Sequence, residues 1–128
     1  MLTPKLGKKS ADTVYISIFT QGRRIMSSNV TNHIGDHKAT LTINGRFDFS
    51  IHRNFRANYE EILGSEGVKE IAVDLKNVDY VDSSALGMLL LLREKSQAEN
   101  IQMRLINPKI AVRQVLEIAN FEKLFSIT

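Results

Sequence analysis

The chain has 128 residues, 43% of them hydrophobic and 24% charged, with a formal net charge of +3 at neutral pH. That length suits one compact domain, since single domains commonly run to about 100–150 residues, and the apolar fraction is that of a folded protein. Cysteine is absent, which excludes a disulfide scaffold, a thiolate zinc site and a cysteine nucleophile.

No apolar run approaches the ~20 residues that span a bilayer. The longest candidate, Ala85–Leu92, is interrupted by Gly87, and Val14–Phe19 falls short of the ~7–15-residue apolar region of a signal peptide. The expectation is a cytoplasmic domain with no membrane insertion. The sequence pI of about 9.3 raises a nucleic-acid reading, so the charge must be located. Residues 1–25 carry Lys5, Lys8, Lys9, Arg23 and Arg24 against Asp12, a net of +4, and the remaining chain has a net of −1. A basic tail on a near-neutral body more often solubilises than binds, so no nucleic-acid partner is expected. A domain can start at Met26, followed by Ser27, Ser28 and Asn29, which leaves residues 1–27 as a basic extension, either disordered or an added strand.

Val30–Ile34 alternates loosely and ends at Gly35-Asp36, a turn pair that suits a hairpin. His37–Phe47 follows as a half-buried strand, with Ala39, Leu41 and Ile43 on one face and Thr40, Thr42 and Asn44 on the other. Ser50 suits the N-cap of a helix in which Ile51, Phe55, Tyr59, Ile62 and Leu63 recur at helical spacing until Gly64. Lys69–Leu75 is a short strand, apolar at Ile71, Ala72 and Val73 in succession as when both faces are covered, and Asn77–Asp82 reads as a loop.

A second helix begins near Ser83, and Ile101–Ile106 is another strand. Asn107-Pro108 predicts a helix start, Asn as the cap and Pro in the first position, with Val112, Leu116 and Ala119 as its core stripe and Val115 beside them. Phe121, Leu124 and Phe125 lead to a last strand. The order β-β-α-β-α-β-α-β implies an α/β fold, a mixed β-sheet flanked by three to four helices, with parallel pairing wherever a helix joins two strands.

Asp82, Ser83 and Ser84 stand at the entry of the second helix, where backbone N–H groups lack partners and Asp and Ser are the preferred caps. At ~100° per residue, Leu86 and Leu90 share one direction, read as the core side, and Met88, Leu91 and Leu92 spread over roughly 140–240° from Leu86. A helix apolar all round is either buried or covered by a partner, and Met88, Leu91 and Leu92 are assigned to a partner surface, with extra core as the alternative.

Asp82-Ser83-Ser84-Ala85-Leu86-Gly87, preceded by an apolar strand and Val81, resembles the signature of STAS domains, above all the D-S-[ST]-G-L-G pattern of bacterial anti-sigma factor antagonists. Gly45-Arg46-Phe47-Asp48 is similar to the family's G-x-[LF]-D turn, and Asn107-Pro108 to its turn before the last helix; the resemblance covers residues 28–128. One departure is Ala85, where the family usually has Gly. The resemblance implies a phosphorylation switch with Ser83 as the target, Ser84 as a structural neighbour, and Asp48 and Asp82 beside the hydroxyl. It implies two partners, an anti-sigma factor that is also a GHKL-type serine kinase and a metal-dependent serine phosphatase. No enzymatic role is expected. No His or Lys is placed to activate Ser83, His33, His37 and His52 lack the spacing of a triad or metal site, and no phosphate loop occurs, so neither cofactor nor metal is required. Two other readings stay open: a constitutive STAS subunit of a lipid-transport ABC complex, and an RNA- or membrane-surface protein acting through the basic N-terminal segment.

Overall fold

The computed structural model describes residues 29–128; the expectations for Val14–Phe19 and for the basic extension lie outside them. Five strands form one sheet in the order β1-β2-β3-β4-β5, comprising β1 (Asn29–Gly35), β2 (Lys38–Phe47), β3 (Glu70–Val81), β4 (Gln102–Ile106) and β5 (Ser126–Ile127). Three α-helices connect the parallel strands: α1 (His52–Leu63), α2 (Ser83–Ala98) and α3 (Ile110–Ile118). β1 runs antiparallel to β2, and every other pairing is parallel, as the helical connections predict.

The β1–β2 hairpin turns on Asp36 and His37, both at positive φ (52° and 66°), with Gly35 paired to Lys38. Two consecutive left-handed residues are what a primed two-residue turn requires. The turn therefore sits one residue later than Gly35-Asp36, and His37 belongs to it and not to the strand. His37 also braces the next connection: its Nδ1 lies 2.8 Å from the Gly67 carbonyl, and its own carbonyl accepts the Lys69 amide at 2.7 Å.

β2 matches its alternation, with Ala39, Leu41 and Ile43 buried and Thr40, Thr42 and Asn44 half-buried. β3 departs from expectation, because Asn77–Asp82 is not a loop: the strand continues to Val81. Register shifts opposite Thr42/Asn44 and Gly45/Arg46 insert extra residues on the β3 side. Leu75, Val78 and Val81, three apart, therefore all face the core. Ile71 and Val73 join them, whereas Ala72 and Asp74 alternate to the other face.

Phe47 at the end of β2 contacts Phe55 with ring centroids 5.4 Å apart, and Phe55 meets Tyr59 edge-on at 5.5 Å. Burying such rings contributes about 1.5–3 kcal/mol each, which fixes α1 on the sheet beside the β2 terminus. The Ser50 cap is corrected. A 3-10 turn (Phe49–Ile51) precedes α1, and Asp48 caps it by accepting the Ser50 amide. The last helix also starts later than Asn107-Pro108, at Ile110. Asn107 adopts φ 60°, outside the helix, and its amide donates to Asp74 Oδ1 at 3.2 Å. Asn tolerates that left-handed backbone, which a helix cap does not use.

In α2, Ala85, Leu89, Leu92 and Ser96 are buried and Leu90 is exposed, so the core side is rotated away from the Leu86–Leu90 line. Ser96 is fully buried, and its hydroxyl has no hydrogen-bond partner among the described residues. Ser65, by contrast, donates to the Glu61 carbonyl. Ser96→Ala removes an unpaired buried oxygen and supplies the best helix former, so stability should rise by about 0.5–2 kcal/mol. A denaturant midpoint that falls would show that the hydroxyl has a partner after all.

Candidate functional site

β2 and β3 finish side by side, with Phe47 paired to Val81 and the Asp82 amide donating to the Phe47 carbonyl at 3.3 Å. The next residue on each strand is an aspartate, so Asp48 and Asp82 stand adjacent at the carboxyl end of the parallel sheet. This is the edge where open α/β sheets collect functional loops.

Each aspartate closes a turn. Asp82 has extended backbone and N-caps α2: its Oδ1 accepts the Ala85 amide at 2.9 Å and its carbonyl accepts the Leu86 amide at 3.2 Å. That cap makes Ser83 the first helical residue, exposed to solvent, with Ser84 half-buried behind it. Asp48 Oδ1 accepts the Ser50 amide at 3.0 Å and the Ser50 hydroxyl at 2.5 Å, and Oδ2 accepts Arg46 Nε at 3.2 Å. The Ser50 hydroxyl and then its amide hold the Asp48 carboxyl below the usual carboxylate range, against an opposite push from burial, with Arg46 adding the smallest contributions. Asp48 is therefore ionised throughout the neutral range.

Further groups frame this end of the sheet. The Arg46 guanidinium lies over the Tyr80 ring, 4.1 Å from its centroid, and Tyr80 is 43% exposed. Phe49, 60% exposed, stacks on His52 with centroids 4.1 Å apart. The β4–α3 connection is tied in by the Asn107–Asp74 bond and by Lys109 Nζ to Asp79 Oδ1 at 2.5 Å. Sequence reasoning quoted Arg46 only as part of the Gly45–Asp48 turn and did not single out Phe49 or Tyr80, because exposure of an aromatic is not legible from its identity. Among the described residues no group of His, Asp and Glu is assembled to hold a metal ion.

Below Ser83, α2 presents Gly87, Leu90, Leu91 and Glu94 to solvent, with Met88 half-buried at the margin. Leu90 is 36% and Leu91 44% exposed. Leu92 was assigned to this surface and does not belong there: it is fully buried against the sheet. Two positions separate Leu92 from Glu94, about 200° of helix turn, which puts it opposite the charged side, whereas Leu90 is only about 40° from Glu94. Glu94 was the signal that sets the phase of this helix. Among the described residues Gly87 has no neighbour within 4 Å of where a Cβ would stand, so none of them requires glycine there. Ala85, the departure from the family pattern, turns its methyl into the core, away from the Ser83 face.

The family model for the STAS domain matches residues 28–128. A STAS-domain containing protein of Pseudomonas aeruginosa (strain UCBPP-PA14) is 49% identical over 89 residues, covering 70% of this chain and 86% of that protein. The fold is shared with the anti-sigma factor antagonist SpoIIAA in its unphosphorylated form, at TM-score 0.67 and 18% identity over 77% of this chain and 87% of that one. It is shared too with the phosphorylated form of the Bacillus cell fate determinant SpoIIAA, at TM-score 0.61 and 17% identity over 77% and 90%. With the matched segment taking in every strand and helix described above, this chain belongs to the STAS domain family.

Proposed function

We propose that this chain is a phosphorylation-controlled partner-switching regulator of the cytoplasm. In its unmodified form the Ser83 end of α2 and the stripe beneath it bind an anti-sigma factor that is also a GHKL-type serine kinase, or an equivalent regulator, and so free that regulator's target. Phosphorylation of Ser83 ends the binding, and a metal-dependent serine phosphatase restores it. The observation that carries this reading is the placement of one exposed hydroxyl at the head of a helix whose solvent side is apolar at Leu90 and Leu91. That SpoIIAA is described in both phosphorylated and unphosphorylated forms on this fold supports it.

The physics favours a switch that changes docking and spares the fold. A phosphoryl group adds about −1.5 to −2 charges at neutral pH. The α2 N-terminus favours it by roughly 0.3–1 kcal/mol, because the helix dipole is positive there. Asp48 and Asp82 oppose it: at ~6 Å and an effective dielectric of 20–80, each unit pair costs about 0.7–2.8 kcal/mol. With two carboxylates the repulsion exceeds the helix-dipole contribution, a net cost of about 1 kcal/mol or more at the high-dielectric end, small against the ~5–15 kcal/mol that holds a domain folded. Within a docked interface the same charge loses its water, and a cost of about 2–4 kcal/mol weakens binding roughly 30- to 1000-fold.

The apolar stripe of α2 contributes separately. Glycine in an exposed helix interior costs about 0.8–1 kcal/mol relative to alanine. At Gly87 no contact among the described residues offsets that cost, and the gap between Ser83 and Leu90 leaves room for a partner to approach the helix closely.

With the cognate kinase and ATP, Ser83→Ala should take no label and Ser84→Ala should label normally; labelling of Ser83→Ala at the wild-type rate overturns the assignment. Ser83→Asp should stay folded, with an unfolding temperature within several degrees of the wild type, yet bind the partner at least tenfold more weakly, and undiminished binding favours the constitutive subunit of a lipid-transport complex instead. Gly87→Ala should raise unfolding stability by about 0.5–1 kcal/mol. Gly87→Leu should lower partner affinity at least tenfold in calorimetry, and unchanged affinity removes the stripe from the interface.

A further inference from the structure

A groove of about 430 Å³ opens at the β4–β5 edge of the sheet, between the C-terminal half of α2 and the start of β4. β5 pairs with β4 only at Arg104 and Leu105, so no described strand continues the sheet beside Gln102 and Met103. The groove occupies that notch: Gln102 and Met103 line it together with Ser126 and Leu124, the last 42% exposed. An unpaired strand edge beside apolar side chains is a place where an extended chain can lie.

Charge says what kind of chain. Arg93 from α2 and Arg104 from β4 both line the groove, and no Asp or Glu among the described residues does. Each guanidinium is anchored from within the protein by its Nε. That of Arg93 donates to the Leu124 carbonyl at 3.0 Å, and that of Arg104 donates to Glu70 on β3. Among the described residues these are the only hydrogen bonds that either side chain makes, so the terminal nitrogens of both keep their donors. Arg93 has no carboxylate partner among the described residues; its other contact is the Phe125 ring, 6.0 Å from the guanidinium carbon. A guanidinium fixed in this way presents a planar fork that takes a carboxylate as a bidentate pair.

We propose that this groove is a docking site for an extended acidic segment of a partner protein, one in which carboxylates alternate with large apolar side chains. The carboxylates pair with Arg93 and Arg104, and an apolar side chain rests against Met103 and Leu124. The apolar wall offers a small free anion nothing, whereas a segment of this composition uses both walls; Arg and Met are also residues that protein interfaces favour. Arg93 follows Leu90 by three residues on the same helix, so the groove continues the exposed stripe of α2. It stands ten residues beyond Ser83, about 15 Å along the axis, and the proposal holds whether or not that serine is modified.

The test titrates the full chain, isotopically labelled and in low salt, with three probes followed by NMR. They are the peptide acetyl-Glu-Leu-Glu-Leu-Glu amide, its analogue with glutamine for each glutamate, and glutarate. The acidic peptide should shift the backbone amides of Met103 and Ser126 and the Nε–H signals of Arg93 and Arg104, with a dissociation constant of about 1 mM or tighter. The glutamine analogue and glutarate should each bind at least about tenfold more weakly. Arg93→Gln and Arg104→Gln should each weaken the acidic peptide at least about threefold, and Arg56→Gln, which alters a pair with Glu60 on α1, should match the wild type. Leu124→Ser keeps the carbonyl that anchors Arg93 and removes only an exposed side chain, so it probes the apolar wall without threatening the fold; it should weaken the peptide by a similar factor. Shifts absent from the groove or confined to residues 1–25, equal binding of the two peptides, or full affinity in the arginine and Leu124 variants overturns the proposal. Glutarate binding as tightly as the acidic peptide overturns it too and makes the groove a small-anion site.

Discussion

The parallel ladder between β2 and β3 closes with the Asp82 amide donating to the Phe47 carbonyl, and both aspartates take their positions from that hydrogen bond. It sets the end of one strand against the end of the other. Asp48 and Asp82 are the residues immediately beyond, and each has its carboxylate committed to backbone donors in the turn it opens. Asp82 satisfies an N–H that the start of α2 would otherwise leave without a partner, which makes Ser83 the first residue of the helix and leaves its side chain outside. A slip of one residue in this ladder would reverse the facing of Phe47 or Val81 and take apart the core beneath the site. Position at the site and stability of the fold are thus coupled through the same register.

The register is held against an irregular strand. Extra residues on β3 let Leu75, Val78 and Val81 all reach the core, and they spoil the two-residue alternation by which a strand is recognised. That is why the segment Asn77–Asp82 reads as a loop although Asn77, Val78, Tyr80 and Val81 are all paired with β2. Where the backbone is regular, as in β2 with Ala39, Leu41 and Ile43 inward, pattern and structure agree. The helix starts follow the same logic. A 3-10 turn between Asp48 and α1 moves the capping role from Ser50 to Asp48. At the other end of the chain a left-handed Asn107 bonded to Asp74 delays α3 to Ile110. Local rules name the right kinds of residue, and tertiary bonds decide which of them is used.

α2 posed a different difficulty. Met88 to Leu92 is apolar at five consecutive positions, so hydrophobicity carries no phase there and cannot say which leucine faces inward. The phase comes from the residues that are not large and apolar. Ala85 and Ser96 are small enough to sit against the sheet, and Ser83, Gly87 and Glu94 fall together on the opposite side. The outward position of Ser83 was implied by the family resemblance, since the cap pattern marks where the helix starts and not which side of it faces solvent. The identity of the surface below it was not, and the exchange of Leu92 for Leu90 follows from starting the wheel at Leu86.

The division of α2 into two unlike faces also bears on how, in the proposed switch, a small covalent change would control a large contact. The inward face, with Leu89 and Leu92, is packed whether or not a partner is present, so the helix keeps its place when the charge at its head changes. The outward face is a short row, from Ser83 past Gly87 to Leu90 and Leu91, and all of it falls on one side of about two and a half helical turns. A partner that covers the leucines must also cover the head of the helix, since Ser83 and Leu90 are seven residues apart, about 10 Å along the axis. Charge placed at Ser83 is then desolvated by any docking that uses the leucines, and the partner cannot evade it by shifting along the row. In the proposed switch, affinity would come from the apolar residues and control from the hydroxyl. The helix geometry joins the two because one face carries both.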